Sequence, residues 1–171
     1  MTEPPASFDP SGYPWQPIPE PGVLVGRTFR TTAVPDEMLA SQGAAPMRMR
    51  HPVLAVGSNA SAAVMDRKLA AAGICSALPM TVGRHDGLAV GHSAHVSMPG
   101  YIAAAPYRCG RCRRPFVVVH PDDDQLEALD ATEPNYERVR YGEVWVYRSK
   151  WEVLAVGGLP VARRLPFEYM S

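Results

Sequence analysis

The stretch Pro52-Val53-Leu54-Ala55-Val56-Gly57-Ser58-Asn59 decides the fold. Val53 to Val56 is a short unbroken apolar run, the pattern of a strand covered on both faces. Gly57-Ser58-Asn59 interrupts it. Ala60 to Ala72 then has helical spacing, with Met65 and Leu69 four apart on one face and Gly73 as the stop. A buried strand therefore feeds a small polar turn, and the turn feeds a helix N-terminus. Such a junction presents unpaired N–H groups with the helix dipole behind them, which suits a carboxylate or a polarised carbonyl. Gly57 permits close backbone approach, and Ser58 and Asn59 can contact a ligand. The plainer use of the same residues is that Asn59 or Ser61 caps the helix.

A second stretch, His120 to Tyr136, reads HPDDDQLEALDATEPNY. Pro121 suits the first helical position, where a missing N–H costs nothing. Asp122, Asp123 and Asp124 then fall in the first turn, against the positive end of the dipole. That accounts for the acidic run; the glycine and downstream glutamate of a calcium loop are missing. Leu126 and Leu129 form the inward stripe. Glu133 precedes Pro134, so it is expected just past the helix in an extended conformation. A carboxylate there can sit in a cleft or simply in solvent.

Taken together, the two stretches resemble the gamma-glutamylcyclotransferase-like superfamily. Its members carry a strand ending in Tyr-Gly-Ser-Asn and later a Leu-Asp-x-x-Glu motif. Here these stand as Val56-Gly57-Ser58-Asn59 and Leu129-Asp130-Ala131-Thr132-Glu133, in the family's order, and the similarity loosely covers residues 51 to 160. One position departs: the family's tyrosine is Val56. The resemblance implies Glu133 as general acid and base, and Val56, Gly57, Ser58 and Asn59 as the substrate-binding turn. It also implies that Tyr147 is the aromatic placed near the substrate on a later strand.

The totals fit this picture. The chain has 171 residues, 46% of them apolar, with 17 basic and 17 acidic side chains and a formal net charge of zero. One domain with a sizeable core is expected over residues 23 to 171, preceded by a tail over residues 1 to 22. Charge balance points away from nucleic acid. Three cysteines do not make a secreted disulfide framework. No apolar run reaches the length of a membrane span, and no basic-then-apolar leader opens the chain. The expected location is cytoplasmic. The tail holds seven prolines, at positions 4, 5, 10, 14, 17, 19 and 21, and is expected to be extended. Its Phe8, Tyr13, Trp15 and Ile18 can dock on the domain or on another subunit; the other reading is a loose tail.

Beyond these stretches the pattern is mostly strand. Asp36 to Ala40 suits a short helical turn. Leu78 to Gly83, an Asp86-Gly87 hairpin turn and Leu88 to Val96 form the next expected unit. Pro99-Gly100 marks another turn, with strands at Tyr101 to Ala105 and Phe116 to Val119. Val139 to Arg148 alternates as one strand, with Val139, Tyr141, Trp145 and Tyr147 on one face and Val144 and Val146 on the other. Trp151 to Val156 is expected to return beside it as a hairpin, and Leu159 to Ser171 to form a surface tail.

One rival constellation is His92-x-x-His95 with Cys109-x-x-Cys112, four residues of the types that bind zinc. Histidines three apart in a strand point to opposite faces, which argues against it. Arg108, Arg111, Arg113 and Arg114 around the cysteines fit an exposed loop as well as a thiolate site. No metal and no cofactor is expected.

The expected fold is α+β: six or seven mostly antiparallel strands curling toward a small barrel, with two main helices. The function implied is gamma-glutamyl cyclotransfer on a small gamma-glutamyl substrate. The alternatives are a non-catalytic small-molecule binding or regulatory module, which Val56 favours, and a protein-interaction domain working through the proline-rich tail. Oligomeric state and the substrate's leaving group are left open by the sequence.

Overall fold

Val53–Ala55 lies inside a seven-stranded sheet, paired on both edges and buried at every position. The computed structural model describes residues 10–74 and 77–162 of the chain. In chain order these form β1 (Gly22–Val25), β2 (Thr28–Thr31), α1 (Pro35–Ser41), β3 (Val53–Ala55), α2 (Ala62–Ala71), β4 (Ala77–Val96) and β5 (Ile102–Val119). There follow α3 (Asp123–Ala131), β6 (Tyr136–Tyr141), β7 (Val144–Ser149) and a separate ribbon of β8 (Ala155–Val156) and β9 (Leu159–Pro160). The sheet order is β2-β1-β4-β5-β3-β7-β6, antiparallel except for β3 beside β7. The fold is therefore mixed α+β. Among the described residues no helix is long and apolar enough to cross a membrane.

The unbroken apolar run of β3 has a direct cause. Val53 and Ala55 face a cluster with Met65 and Leu69 of α2 and Leu126 and Leu129 of α3. Leu54 points the other way, into a cluster with Leu88, Val90, Ala104, Phe116, Val144 and Val146. Period-two alternation puts successive side chains on opposite faces, and here both faces are core.

The second cluster exists because the β4–β5 hairpin bends. Asp86-Gly87, expected as a hairpin turn, is instead a kink within one strand of 20 residues. The register shifts between Asp86↔Arg113 and Leu88↔Arg108, so Cys109 to Cys112 bulge out opposite Gly87. Gly87 has φ +75°, and a Cβ there would lie 2.5 Å from Tyr141 Oη. A glycine with positive φ serves a bulge as well as a turn; burial of Leu88 and Val90 on the far side selects the bulge. The true reversal is at Pro99-Gly100, as expected, closed by Ser97 N–H donating to Tyr101 O at 2.8 Å and Tyr101 N–H donating back to Ser97 Oγ at 3.3 Å. The expected strands at Tyr101 to Ala105 and Phe116 to Val119 are thus two ends of β5.

The bent hairpin returns toward β6 and β7 without closing a barrel. Ser93 Oγ and Ser149 Oγ meet at 2.6 Å, and Tyr136 Oη donates to Ala104 O at 2.9 Å. β2 and β6 remain the two edges of the sheet.

Three further expectations are corrected. Val139 to Arg148 is two strands, because Gly142 at φ +57° allows a two-residue turn between Tyr141 and Val144. Pairing then puts Val139 and Tyr141 on the face of Val146 and Val144, while Trp145 and Tyr147 share the other face with Arg140 and Arg138. Pro121 lies before the helix: Asp122 is the cap, accepting from Gln125 N–H at 3.0 Å while Gln125 Oε1 accepts from Asp122 N–H at 3.1 Å. Trp151 to Val156 crosses to β4 at Ser93 and Val153 rather than returning along β7. Leu159–Pro160 completes the small ribbon, and residues 163 to 171 lie outside the described residues.

Residues 10 to 21 lie against the domain. Ile18 is buried in the helix-side cluster, and its N–H donates to Ala60 O at 3.0 Å. Tyr13 packs against the other cluster. Phe8 lies outside the described residues.

Candidate functional site

The site begins where β3 ends. Gly57 to Asn59 tightens into a 3-10 turn over Ser58–Ala60 before α2 starts at Ala62. Ala60 N–H donates to Gly57 O and Ser61 N–H to Ser58 O, both at 3.0 Å. Among the described residues, none accepts from the N–H of Gly57, Ser58 or Asn59. A Cβ on Gly57 would meet Tyr13 Oη at 2.5 Å and Ala104 Cβ at 3.2 Å, so any larger residue must displace the Tyr13 side chain or the turn. Neither Asn59 nor Ser61 caps α2 through its side chain. Gly73 ends the helix at φ +70°, as its position suggested.

Asn59 has another task. Its Nδ2 donates to Glu133 Oε1 at 3.0 Å, and its Oδ1 accepts from Lys68 Nζ at 2.7 Å. Lys68 Nζ also reaches Glu133 Oε1 at 2.7 Å. The three side chains close a ring in which one oxygen of Glu133 takes both bonds. Glu133 stands just past α3, its N–H donating to Asp130 O at 3.1 Å. The Glu133 and Lys68 side chains are only 15% and 17% exposed. Lys68 was not anticipated. Its position beside Leu69 puts it at the margin of the inward face of α2, but exposed lysines occupy such margins routinely.

Asp130, the other acidic residue of the motif, is structural. Arg138 holds it in a two-pronged contact, with Nε to Oδ1 at 3.0 Å and Nη2 to Oδ2 at 3.0 Å. Tyr147 Oη donates to Asp130 Oδ1 at 2.7 Å. Burial, and then the Asp130 carboxylate, push the Tyr147 phenol well above its ordinary pKa. Its ring lines the cavity while its hydroxyl is committed to Asp130.

Glu133, Val56, Gly57, Ser58, Asn59 and Tyr147 all border one cavity of about 280 Å³. That is the scale of a small-molecule site. Sequence reasoning missed several other walls. Tyr136 lines it, its phenol raised by burial and held to Ala104 O. His95 enters through a second shift of register, between His92↔Ala104 and Val96↔Ile102. Its Nδ1 lies 2.6 Å from Ser93 Oγ. Tyr13 and Trp15 come from the proline-rich segment, where aromatics among prolines were the available signal.

The rival zinc constellation does not assemble. His95 faces this cavity, whereas Cys109 and Cys112 pair with each other in the bulge of β5, with Cα atoms 5.8 Å apart. Among the described residues no three His, Cys, Asp or Glu side chains are grouped to hold a metal ion.

The arrangement supplies three chemical elements in one place. A largely buried carboxylate can take and return a proton. An amide side chain and a set of backbone N–H groups can hold a carbonyl or carboxylate. A lysine provides compensating positive charge. Comparison with protein-family models, with curated proteins and with solved structures returns no match for this chain.

Proposed function

We propose that the protein is a gamma-glutamyl cyclotransferase-type enzyme. The observation that carries the reading is the placement of the Glu133 carboxylate 3.0 Å from Asn59 Nδ2, on the cavity bordered by the Gly57 to Asn59 turn. In the reaction, the substrate's α-amine attacks its own γ-carbonyl carbon. The new C–N bond closes the ring of 5-oxoproline, and the original amide C–N bond breaks. The proton lost by the attacking amine passes to Glu133 and then to the leaving amine. Atoms balance without water, metal or cofactor. The protein's tasks are to fold the substrate into a ring-closing shape and to stabilise the oxyanion. The N–H groups of the turn suit the second task. Lys68 keeps the Glu133 carboxylate paired until the substrate's amine arrives.

The test is 5-oxoproline release from a panel of γ-glutamyl compounds, with wild type beside Glu133→Gln. Product from wild type alone is expected. Equal release from the variant would sink the mechanism.

A second reading is a non-catalytic binding or regulatory module on the same fold. Two observations favour it: Glu133 Oε1 already accepts from both Lys68 and Asn59, and Val56 stands where the resembled motif has tyrosine. It predicts that γ-glutamyl ligands raise the melting temperature while no product forms.

A further inference from the structure

The cavity has two kinds of wall. One is polar, built from the turn at Gly57, Asn59, Lys68 and Glu133. The other is aromatic: Tyr13 and Trp15 come from outside residues 51 to 160, and Tyr101, Tyr136 and Tyr147 from within them. Tyr13 stacks on Tyr101 with centroids 4.1 Å apart and planes 17° apart. Trp15 sets its edge against both rings, at 5.6 Å and 5.9 Å. Tyr13 is pinned by Ala104 N–H, which donates to its hydroxyl at 2.6 Å. Trp15 sits at φ +62°, a left-handed conformation that a bulky residue rarely adopts. Strained residues of this kind persist where the surroundings over-determine them, and they concentrate at ligand sites. Met98, fully exposed, lies at the same cavity.

We infer that the segment around Tyr13 and Trp15, with Tyr101, forms the subsite for the amine half of the substrate, and that this half is apolar or aromatic. The inference rests on the cyclotransfer reading. The γ-glutamyl half carries the amine, carboxylate and carbonyl, and these belong on the polar wall. What leaves must then face the rings. Flat or apolar groups gain from aromatic stacking and from displacing water there. Arg67, which also lines the cavity and acts on the Tyr101 phenol, suits the glutamyl α-carboxylate. Tyr13 and Val56 pack against the same cluster, so the small residue at 56 leaves the segment its place.

The experiment uses the full chain, with γ-glutamylbenzylamide and γ-glutamylglycine as competing substrates. Wild type should prefer the benzylamide in kcat/KM by about tenfold or more, the scale of one good aromatic contact. Trp15→Ala should remove most of that preference, and Trp15→Leu, which keeps apolar bulk, should retain part of it. Melting curves confirm that the variants fold. Equal use of both compounds by wild type, or an unchanged ratio in folded Trp15→Ala, overturns the subsite. If neither compound gives 5-oxoproline, the cyclotransfer reading fails, and ligand-induced melting shifts decide the subsite separately. A shift with the benzylamide that Trp15→Ala abolishes supports it; no shift, or one equal to that of γ-glutamylglycine, overturns it.

Discussion

The Lys68 ammonium lies 2.7 Å from Glu133 Oε1 and 2.7 Å from Asn59 Oδ1, so the one carboxylate that borders the cavity among the described residues is held by a cation from α2. Both partners are largely withdrawn from solvent, so deleting one strands the other. Lys68→Met should destabilise the fold by about 2 kcal/mol, and Glu133→Gln by less, since the amide keeps an acceptor for Lys68. A double-mutant cycle in urea should return a coupling of at least about 1 kcal/mol. Additive effects would show that the pair is not energetically real.

Gly57 is predicted to be intolerant for a reason that lies 44 positions away in sequence, at Tyr13. The Cβ of Gly57→Ala would sit 2.5 Å from Tyr13 Oη. Either the turn or the proline-rich segment must shift, and overpacking of this kind costs about 1–3 kcal/mol. Adding Tyr13→Phe should recover part of the loss, because it removes the Oη in the way and keeps the ring on Tyr101. A measured unfolding free energy for the double variant no better than for Gly57→Ala would contradict the steric account.

How much of this was legible beforehand follows from which contacts are local. β3 was readable because two core clusters dictate an unbroken apolar run. Glu133 was readable as lying past its helix because Pro134 disfavours helical geometry at the residue before it. Asp86-Gly87 was misread because a positive-φ glycine looks the same in a turn and in a bulge; what separates them is the pairing of Leu88 with Arg108 and the burial of Val90, both long-range. The break at Gly142 was missed because Val139 to Tyr141 and Val144 to Tyr147 are alike in composition. Lys68, Tyr136 and His95 reach the cavity only through packing of separate elements, and nothing in their local sequence marks them.

His120 gives the protein a defined sensitivity to acid. Burial first, and then the nearby Arg50 guanidinium, lower its pKa from 6.5 to about 4. Its Nε2 lies 2.9 Å from Thr81 Oγ1, and its carbonyl accepts from the buried Arg50 at 3.0 Å. The folded state therefore keeps the ring neutral at a pH where the unfolded chain protonates it. The stability that depends on a neutral ring is intact above about pH 6.5 and is lost as pH falls toward 4. The loss by the lower limit is on the order of 3 kcal/mol. Urea titrations of wild type and His120→Gln between pH 7.5 and 4, on the order of one titration per pH unit, should show a steeper acid limb in wild type. Parallel limbs would mean that His120 does not titrate as described.

Asp130 should matter for stability even though it touches no substrate in the proposed reaction. Its carboxylate ties the end of α3 to β6 through Arg138 and to β7 through Tyr147. Asp130→Ala would leave a guanidinium and a buried phenol without their shared partner. The expected cost is about 2–3 kcal/mol, the range for losing charge-assisted hydrogen bonds of this kind. Because Glu133 is only three residues further on, turnover should fall as well. The origin of that fall is distinguishable. If Asp130 acts by placing Glu133, Asp130→Asn should recover stability in part, since the amide oxygen can still accept from Tyr147 or Arg138, and activity should recover with it. Activity that stays lost in a variant of near-normal stability would instead give Asp130 its own part in the chemistry.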